Sequence, residues 1–205
     1  MQSTLTLSVS NLLIERAERL LCKDLSFEIH AGEIVHIVGE NGAGKSSLLK
    51  VIAGVLSPLE GELFFAGERI TAHRDVLQAQ LCYLGHLAGV KSSFTVIENL
   101  ALHFPAATEV QILAALRSVN IEKYATTPAY QLSAGQQKRI GLARLWLTNK
   151  KVWLLDEPFT ALDTKGVTVL EEKLQQHAEL GGMTLLTTHQ KLNSTLHARE
   201  LSLDS

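Results

Sequence analysis

Apolar positions follow two periods along this chain, and the change from one to the other divides it. From Leu5 to Ile14 they alternate loosely, with Leu5, Leu7 and Val9 on one side, which predicts a half-buried strand. Leu25-Ser26-Phe27-Glu28-Ile29 repeats that period and stops at the turn His30-Ala31-Gly32-Glu33. Ile34-Val35-His36-Ile37-Val38 is nearly continuous and reads as a buried strand. The run from Ser46 to Ala53 predicts a helix, closed by Gly54 with Pro58 beyond it. Gly61-Glu62-Leu63-Phe64-Phe65-Ala66-Gly67-Glu68 predicts a short hairpin, so an antiparallel β element sits beside a parallel core.

Leu81-Cys82-Tyr83-Leu84 is a further short strand, and from His86 the pattern turns helical. Val96 to Leu100, Val110 to Val119 and Ile121 to Tyr124 are short helical pieces, with Pro105 and Pro128 as breakers. These define an inserted helical subdomain over about 87–134, between core segments at about 1–86 and 135–205. Ala134 to Leu147 predicts a longer helix, and Val152-Trp153-Leu154-Leu155 a buried parallel strand. Asp163 to Leu180 predicts an amphipathic helix ended by Gly181-Gly182, and Met183 to Thr187 another parallel strand. The fold class is α/β, as one domain without internal repeats.

Composition narrows the setting. A 205-residue chain with 46% hydrophobic residues can bury a sizeable core. A net charge of −2 does not advertise nucleic acid, and none is expected as a partner. Two cysteines far apart, Cys22 and Cys82, fit a reducing compartment without a disulfide framework. Met1-Gln2-Ser3-Thr4-Leu5 shows no basic region ahead of an apolar stretch, so no signal peptide is expected. No apolar run approaches the ~20 residues that span a bilayer, so a membrane role would need a partner.

Between the third predicted strand and the helix that follows lies Gly39-Glu40-Asn41-Gly42-Ala43-Gly44-Lys45-Ser46. It fits G-x-x-x-x-G-K-[ST], the phosphate-binding loop, in the strand–loop–helix context that motif requires. Glycines let backbone amides approach phosphate oxygens, and the helix N-terminus adds a favourable partial charge. Lys45 is placed to reach the β- and γ-phosphates, and the Ser46 hydroxyl to ligate Mg²⁺. The strand ending in Asp156-Glu157 should project both carboxylates beside that loop, because ligands sit at the carboxyl ends of strands in α/β sheets. Asp156 is then the expected Mg²⁺ partner and Glu157 the general base for an attacking water. Leu132-Ser133-Ala134-Gly135-Gln136 opens a helix with Ser133 near its start, which by itself is a plain helix cap or an anion site.

Together these motifs resemble the ATP-binding cassette (ABC) ATPases, in the family's own order and over essentially the whole chain. The resemblance implies a P-loop NTPase with a RecA-like core, an antiparallel β element and an inserted helical subdomain. It implies ATP and Mg²⁺ as ligands, with Gly39, Glu40, Asn41, Gly42, Ala43, Gly44, Lys45, Ser46 and Ser47 at the nucleotide. It further implies a head-to-tail dimer sandwiching two ATP molecules, in which Ser133 and Gly135 contact the γ-phosphate in trans and Asp163, of Ala161-Leu162-Asp163, communicates across the interface. His189 would hold the γ-phosphate and attacking water, and His86 takes the position where the family carries a glutamine.

Two departures stand out. Ala134 replaces one glycine of the family's Gly-Gly pair, and no aromatic precedes Phe27 where relatives stack a tyrosine on adenine; Arg16 or a neighbour could stack instead. Leu84-Gly85-His86-Leu87-Ala88-Gly89-Val90-Lys91, the stretch Phe94 to Leu100, and Glu15-Arg16-Ala17-Glu18-Arg19 resemble the ATP-binding subunits of bacterial cytochrome c maturation. That resemblance implies a membrane subunit, CcmB, and a larger complex with CcmC, CcmD and the heme chaperone CcmE at the cytoplasmic face of the inner membrane. ATP hydrolysis would drive heme export or release of the heme-loaded chaperone. Direct heme binding by this chain is not expected, since C-x-x-C-H is absent. The alternatives are the ATPase of another small ABC transporter and a non-transport ABC protein.

Overall fold

Strands whose apolar residues alternate pair in an antiparallel sheet, and the largely apolar strands form the centre of a parallel one. The computed structural model describes residues 5–16, 19–70, 74–160, 162–194 and 196–203. In chain order the elements are β1 (Thr6–Arg16), β2 (Arg19–His30), β3 (Ile34–Val38), α1 (Lys45–Ile52), β4 (Glu60–Phe65) and β5 (Glu68–Arg69). Then come α2 (Asp75–Gln80), β6 (Leu81–Leu84), α3 (Val96–His103), α4 (Glu109–Ser118) and α5 (Ala134–Ala143). The last are β7 (Val152–Asp156), α6 (Thr164–Glu179), β8 (Met183–Thr187) and β9 (Ala198–Ser202). Met1 to Thr4, the Ala17-Glu18 part of the Glu-Arg string, and Ala161 lie outside the described residues.

The antiparallel sheet runs β2-β1-β4-β5, and the parallel one β6-β7-β8-β3-β9. The looseness of the alternation in β1 has a local cause. The register with β2 shifts between Val9 and Leu12, where Asn11 takes a positive φ of 49°. Buried residues therefore fall at Leu7, Val9, Leu12 and Ile14. Two apolar cores lie on opposite faces of the parallel sheet. Val35, Ile37, Leu154 and Leu185 face α1 and the antiparallel sheet. Ile34, Trp153, Leu155 and Leu186 share the other core with α6 and the helices from α3 to α5. Cover on both faces is why β7 and β8 are buried at every position.

The helices after β6 start where side chains can cap them. Thr95, Thr108 and Ser133 each form a reciprocal capping box, with Glu98, Gln111 and Gln136 respectively. Buried Asn99 ties this stretch to the segment before it: its side chain accepts from the Lys91 N–H and donates to the carbonyls of Lys91, Phe94 and Thr95. Two predicted boundaries move. The helix expected to reach Leu147 ends at Ala143 and tightens into a 3₁₀ turn, Arg144–Trp146. Asp163, expected to open a helix, stands before it as the cap, accepting from the Gly166 N–H at 2.9 Å.

His177, in the last turn of α6, stacks on Trp153 with ring centroids 3.7 Å apart and planes 7° from parallel. Its Nε2 is buried without a partner. Burial pushes its pKa down to about 4, against the upward pull of the Met183 and Lys151 backbone. The ordinary value is 6.5, so between pH 6.5 and 4 the unfolded chain binds a proton that the folded one refuses. Stability is therefore complete above pH 6.5 and falls as pH drops toward 4, by on the order of 3 kcal/mol from this group. His177→Phe keeps a stacked ring without the titration. Urea midpoints measured from pH 7 to 4.5 should fall more steeply for the wild type than for this variant; equal slopes would refute the assignment.

Candidate functional site

β3 delivers the chain at Val38 into the glycine-rich loop, and α1 leaves it at Lys45. Gly44 stands at the helix N-cap with φ +102°, and a β carbon there would lie 2.9 Å from Leu21 Cβ, so the position admits only glycine. α1 has no side-chain cap and no acidic residue in its first turn, which leaves its positive end to an anion. Lys45 is buried. Its Nζ donates to the carbonyls of Gly39 and, at 2.9 Å, Glu40, so the ammonium is held inside the curve of the loop.

The Ser46 hydroxyl donates to Asp156 Oδ1 at 2.9 Å, joining the loop to the end of β7. The same oxygen accepts from Thr187 Oγ1, also at 2.9 Å, at the end of β8. Asp156 Oδ2 is buried and meets no partner. A serine hydroxyl and an unmet carboxylate oxygen are the hard donors that Mg²⁺ takes, completed by waters and phosphate oxygens. Among the described residues no group of three or more His, Cys, Asp or Glu side chains could hold a metal alone, which accords with that mode.

Glu157 follows in a left-handed backbone conformation, φ 53°, unusual for a non-glycine residue. Its N–H donates to Thr187 O at 3.1 Å and to Thr187 Oγ1 at 3.0 Å, which holds the strained turn. Glu157 Oε1 lies 3.5 Å from His189 Nε2. One cavity of about 440 Å³ gathers these groups. Asn41, Gly42, Gly44, Lys45, Ser46 and Ser47 form one wall, and His86, Asp156, Glu157 and His189 the other. Arg16 and Leu21 also line it, so Arg16 is within the cavity where a stacking group was expected.

Ser133, Gly135 and Asp163 are not brought to that cavity. They line a separate one of about 420 Å³, with Lys123, Tyr124 and Arg139. Ser133 accepts from the Gln136 N–H at 3.3 Å, so it caps α5. Sequence reasoning missed Thr187 as a site residue. The available signal was a threonine closing an apolar parallel strand, at the carboxyl end where ligands bind in such sheets.

Residues 22–160 match the family described as "ABC transporter". A protein of Shewanella frigidimarina (strain NCIMB 400), named "Cytochrome c biogenesis ATP-binding export protein CcmA", is 48% identical, over 99% of this chain and 96% of its own length. A protein of the same name from Escherichia coli (strain K12) is 45% identical, over 91% of this chain and 90% of its own. The solved "Structure of ATP binding subunit of ABC transporter" superposes with a TM-score of 0.78 at 25% identity, covering 89% of this chain and 79% of that one. A putative ABC transporter (ATP-binding protein) from Pyrococcus furiosus, at 23% identity, shares the fold with a TM-score of 0.81 and 97% coverage of both chains.

Thr187→Val keeps the shape of the side chain and removes its hydroxyl. The buried Asp156 then loses one of its two donors, which should cost about 1–3 kcal/mol in urea unfolding. A loss well under that range would mean the Thr187 hydroxyl does not hold the carboxylate.

Proposed function

The chain belongs to the ABC transporter family, and from that premise we propose that it is the ATP-hydrolysing subunit of a membrane complex for cytochrome c maturation. The observation that carries the proposal is near-half identity, over almost the full length of both chains, to proteins named for cytochrome c biogenesis export. Among the described residues no helix is long and apolar enough to cross a membrane. The reading therefore places the chain at the cytoplasmic face of the inner membrane, held there by a membrane subunit, CcmB, within a complex that includes CcmC, CcmD and CcmE. Its work would be heme export or release of heme-loaded CcmE. Another small ABC transporter is the alternative, and co-purification with CcmB or with a different membrane subunit separates the two.

The family supports ATP hydrolysis, and the residues take their roles from the geometry. Loop amides and the α1 N-terminus receive the phosphates, and Lys45 exchanges its two carbonyl partners for phosphate oxygens. Ser46 and Asp156 would hold Mg²⁺, which when bound offsets the charge that develops on the transferred phosphoryl group. Glu157 accepts a proton from the attacking water, and His189, 3.5 Å away, orients that water and the γ-phosphate. Ser133, Gly135 and Asp163 act from a second copy in an ATP-sandwich dimer; their placement on a separate surface of the chain supports that division. The helical subdomain of about 87–134 faces the membrane partner.

Lys45→Ala should lose ATP binding and hydrolysis together. Glu157→Gln should keep ATP binding and lower turnover by roughly 10²–10⁴-fold; near-normal turnover would remove Glu157 as the base. For the partner, Thr95 and Glu98 are poor attachment points because they close a capping box. Single cysteines at Leu87 and Leu102, both exposed, should cross-link to the membrane subunit in intact membranes. Adducts confined to soluble proteins would overturn the membrane assignment.

A further inference from the structure

Two cavities meet at His86 and Asp156. One is the proposed nucleotide cavity, lined by both residues. The other, about 350 Å³, lies between α1 and α5 and is lined by the same two residues together with Tyr83, Gly85, Leu87 and Val55. His86 is thus the side chain of the β6-to-α3 segment that borders both spaces, and what fixes that segment fixes His86.

β6 holds Tyr83 opposite Leu154 of β7. Its side chain leans toward the end of the strand, where its tip lies against Gly85. A β carbon on Gly85 would stand 2.7 Å from Tyr83 Oη, 2.9 Å from Cζ and 3.3 Å from Cε1. The ring therefore occupies the space that any other residue at position 85 would fill. Burial, and then the charge of Asp156, raise the phenol above its ordinary value of 10, which keeps its proton in place and sets it in the field of the buried carboxylate.

We propose that Tyr83 is a positioning residue of the nucleotide site: its ring, packed on the bare Cα of Gly85, holds the segment that bears His86 at the junction of the two cavities. The proposal rests on the reading of the larger cavity as the nucleotide site. It assigns a reason to the glycine that precedes His86, since a side chain there would expel the ring. It also makes the apolar cavity consequential. Tyr83, Gly85 and Leu87 all line it, so a group bound there would lie against the ring, and displacement of the ring would free His86 relative to Asp156.

A plain packing role for Tyr83 would affect stability without reference to His86, and a double-variant cycle tells the two apart. In the full-length, nucleotide-free protein, the His86 imidazole proton resonance is assigned by its disappearance in His86→Gln. Tyr83→Phe should leave that resonance in place, whereas Tyr83→Ala and Gly85→Ala should both shift it. In steady-state ATP hydrolysis, Tyr83→Ala and His86→Ala should each lower kcat on the order of 10-fold, as misplacement of one group does. The double variant should fall no further, because both changes remove one function. Tyr83→Phe should restore wild-type turnover. Should Tyr83→Ala fail to fold, Gly85→Ala paired with His86→Ala completes the same cycle. Multiplying losses in the double variant, or an unmoved His86 resonance in Gly85→Ala, would overturn the proposal. Failure of the parent reading has a different signature: Lys45→Ala would then hydrolyse ATP as the wild type does, while the resonance comparison, made without nucleotide, would stand.

Discussion

Asp156 accepts two hydroxyl hydrogen bonds on one oxygen, from Ser46 and Thr187, and keeps a second oxygen that meets no partner. A buried carboxyl group with an unmet oxygen is costly to a fold. The cost is tolerable here because the group sits where three elements converge: the loop before α1, the end of β7 and the end of β8. Ser46 fixes the loop against the sheet, and Thr187 fixes two neighbouring strand ends against each other. The same threonine also receives the N–H of Glu157, so one hydroxyl sets the buried carboxylate and the turn that presents the next one. Distances across the site are therefore determined by strand register, since Asp156 and Thr187 are direct partners in the parallel ladder.

That arrangement needs a rigid sheet, and the sheet is rigid because both of its faces are covered. Alternation along β7 sends Leu154 to one core and Trp153 and Leu155 to the other. The stack of His177 on Trp153 locks α6 against the same strand. Helices packed on each face thus act on the strand that carries Asp156, and a displacement of either layer reaches the carboxylate through a single strand. By contrast, His86 and His189 are exposed and lie on segments outside the regular elements. The site thus combines a buried interior with exposed outer groups.

How much of this was legible depended on whether the signal was local. β3, β6 and β8 match their apolar runs residue for residue, because each run is uniform and bounded by a change in polarity. β9 was not read, since Ala198-Arg199-Glu200-Leu201-Ser202 has polar residues on an edge strand with little burial. α2 was missed for a related reason: six residues offer too little periodicity to stand out before the strand that follows. The phosphate loop and the Asp156-Glu157 pair were legible because their chemistry fixes residue types at short spacing. Thr187 was not, because its role depends on pairing with a strand 31 positions away. Tyr83 and Gly85 were read as parts of a strand and a loop; that one ring covers the other's backbone is a fact of side-chain direction, which spacing does not encode.

The separation of Ser133, Gly135 and Asp163 from Lys45 and Glu157 follows from the fold, and it constrains any account of turnover. Ser133 caps α5 and Asp163 caps α6, so both stand just before helix starts on a surface shared with Lys123, Tyr124 and Arg139. The cavity proposed for the nucleotide instead lies at the ends of β3, β7 and β8. Glu157 and exposed His189 line it, and the dimer reading calls for a water-excluding wall beside them. A second copy presenting its α5 start would supply that wall and a positive helix end together. On this reading the single chain binds, and the pair hydrolyses. On that reading the segment around His86 borders the nucleotide cavity from within one chain, and it also lines the apolar cavity between α1 and α5. A change in that cavity that moved the Tyr83 ring would therefore bear on the segment that stands beside Asp156.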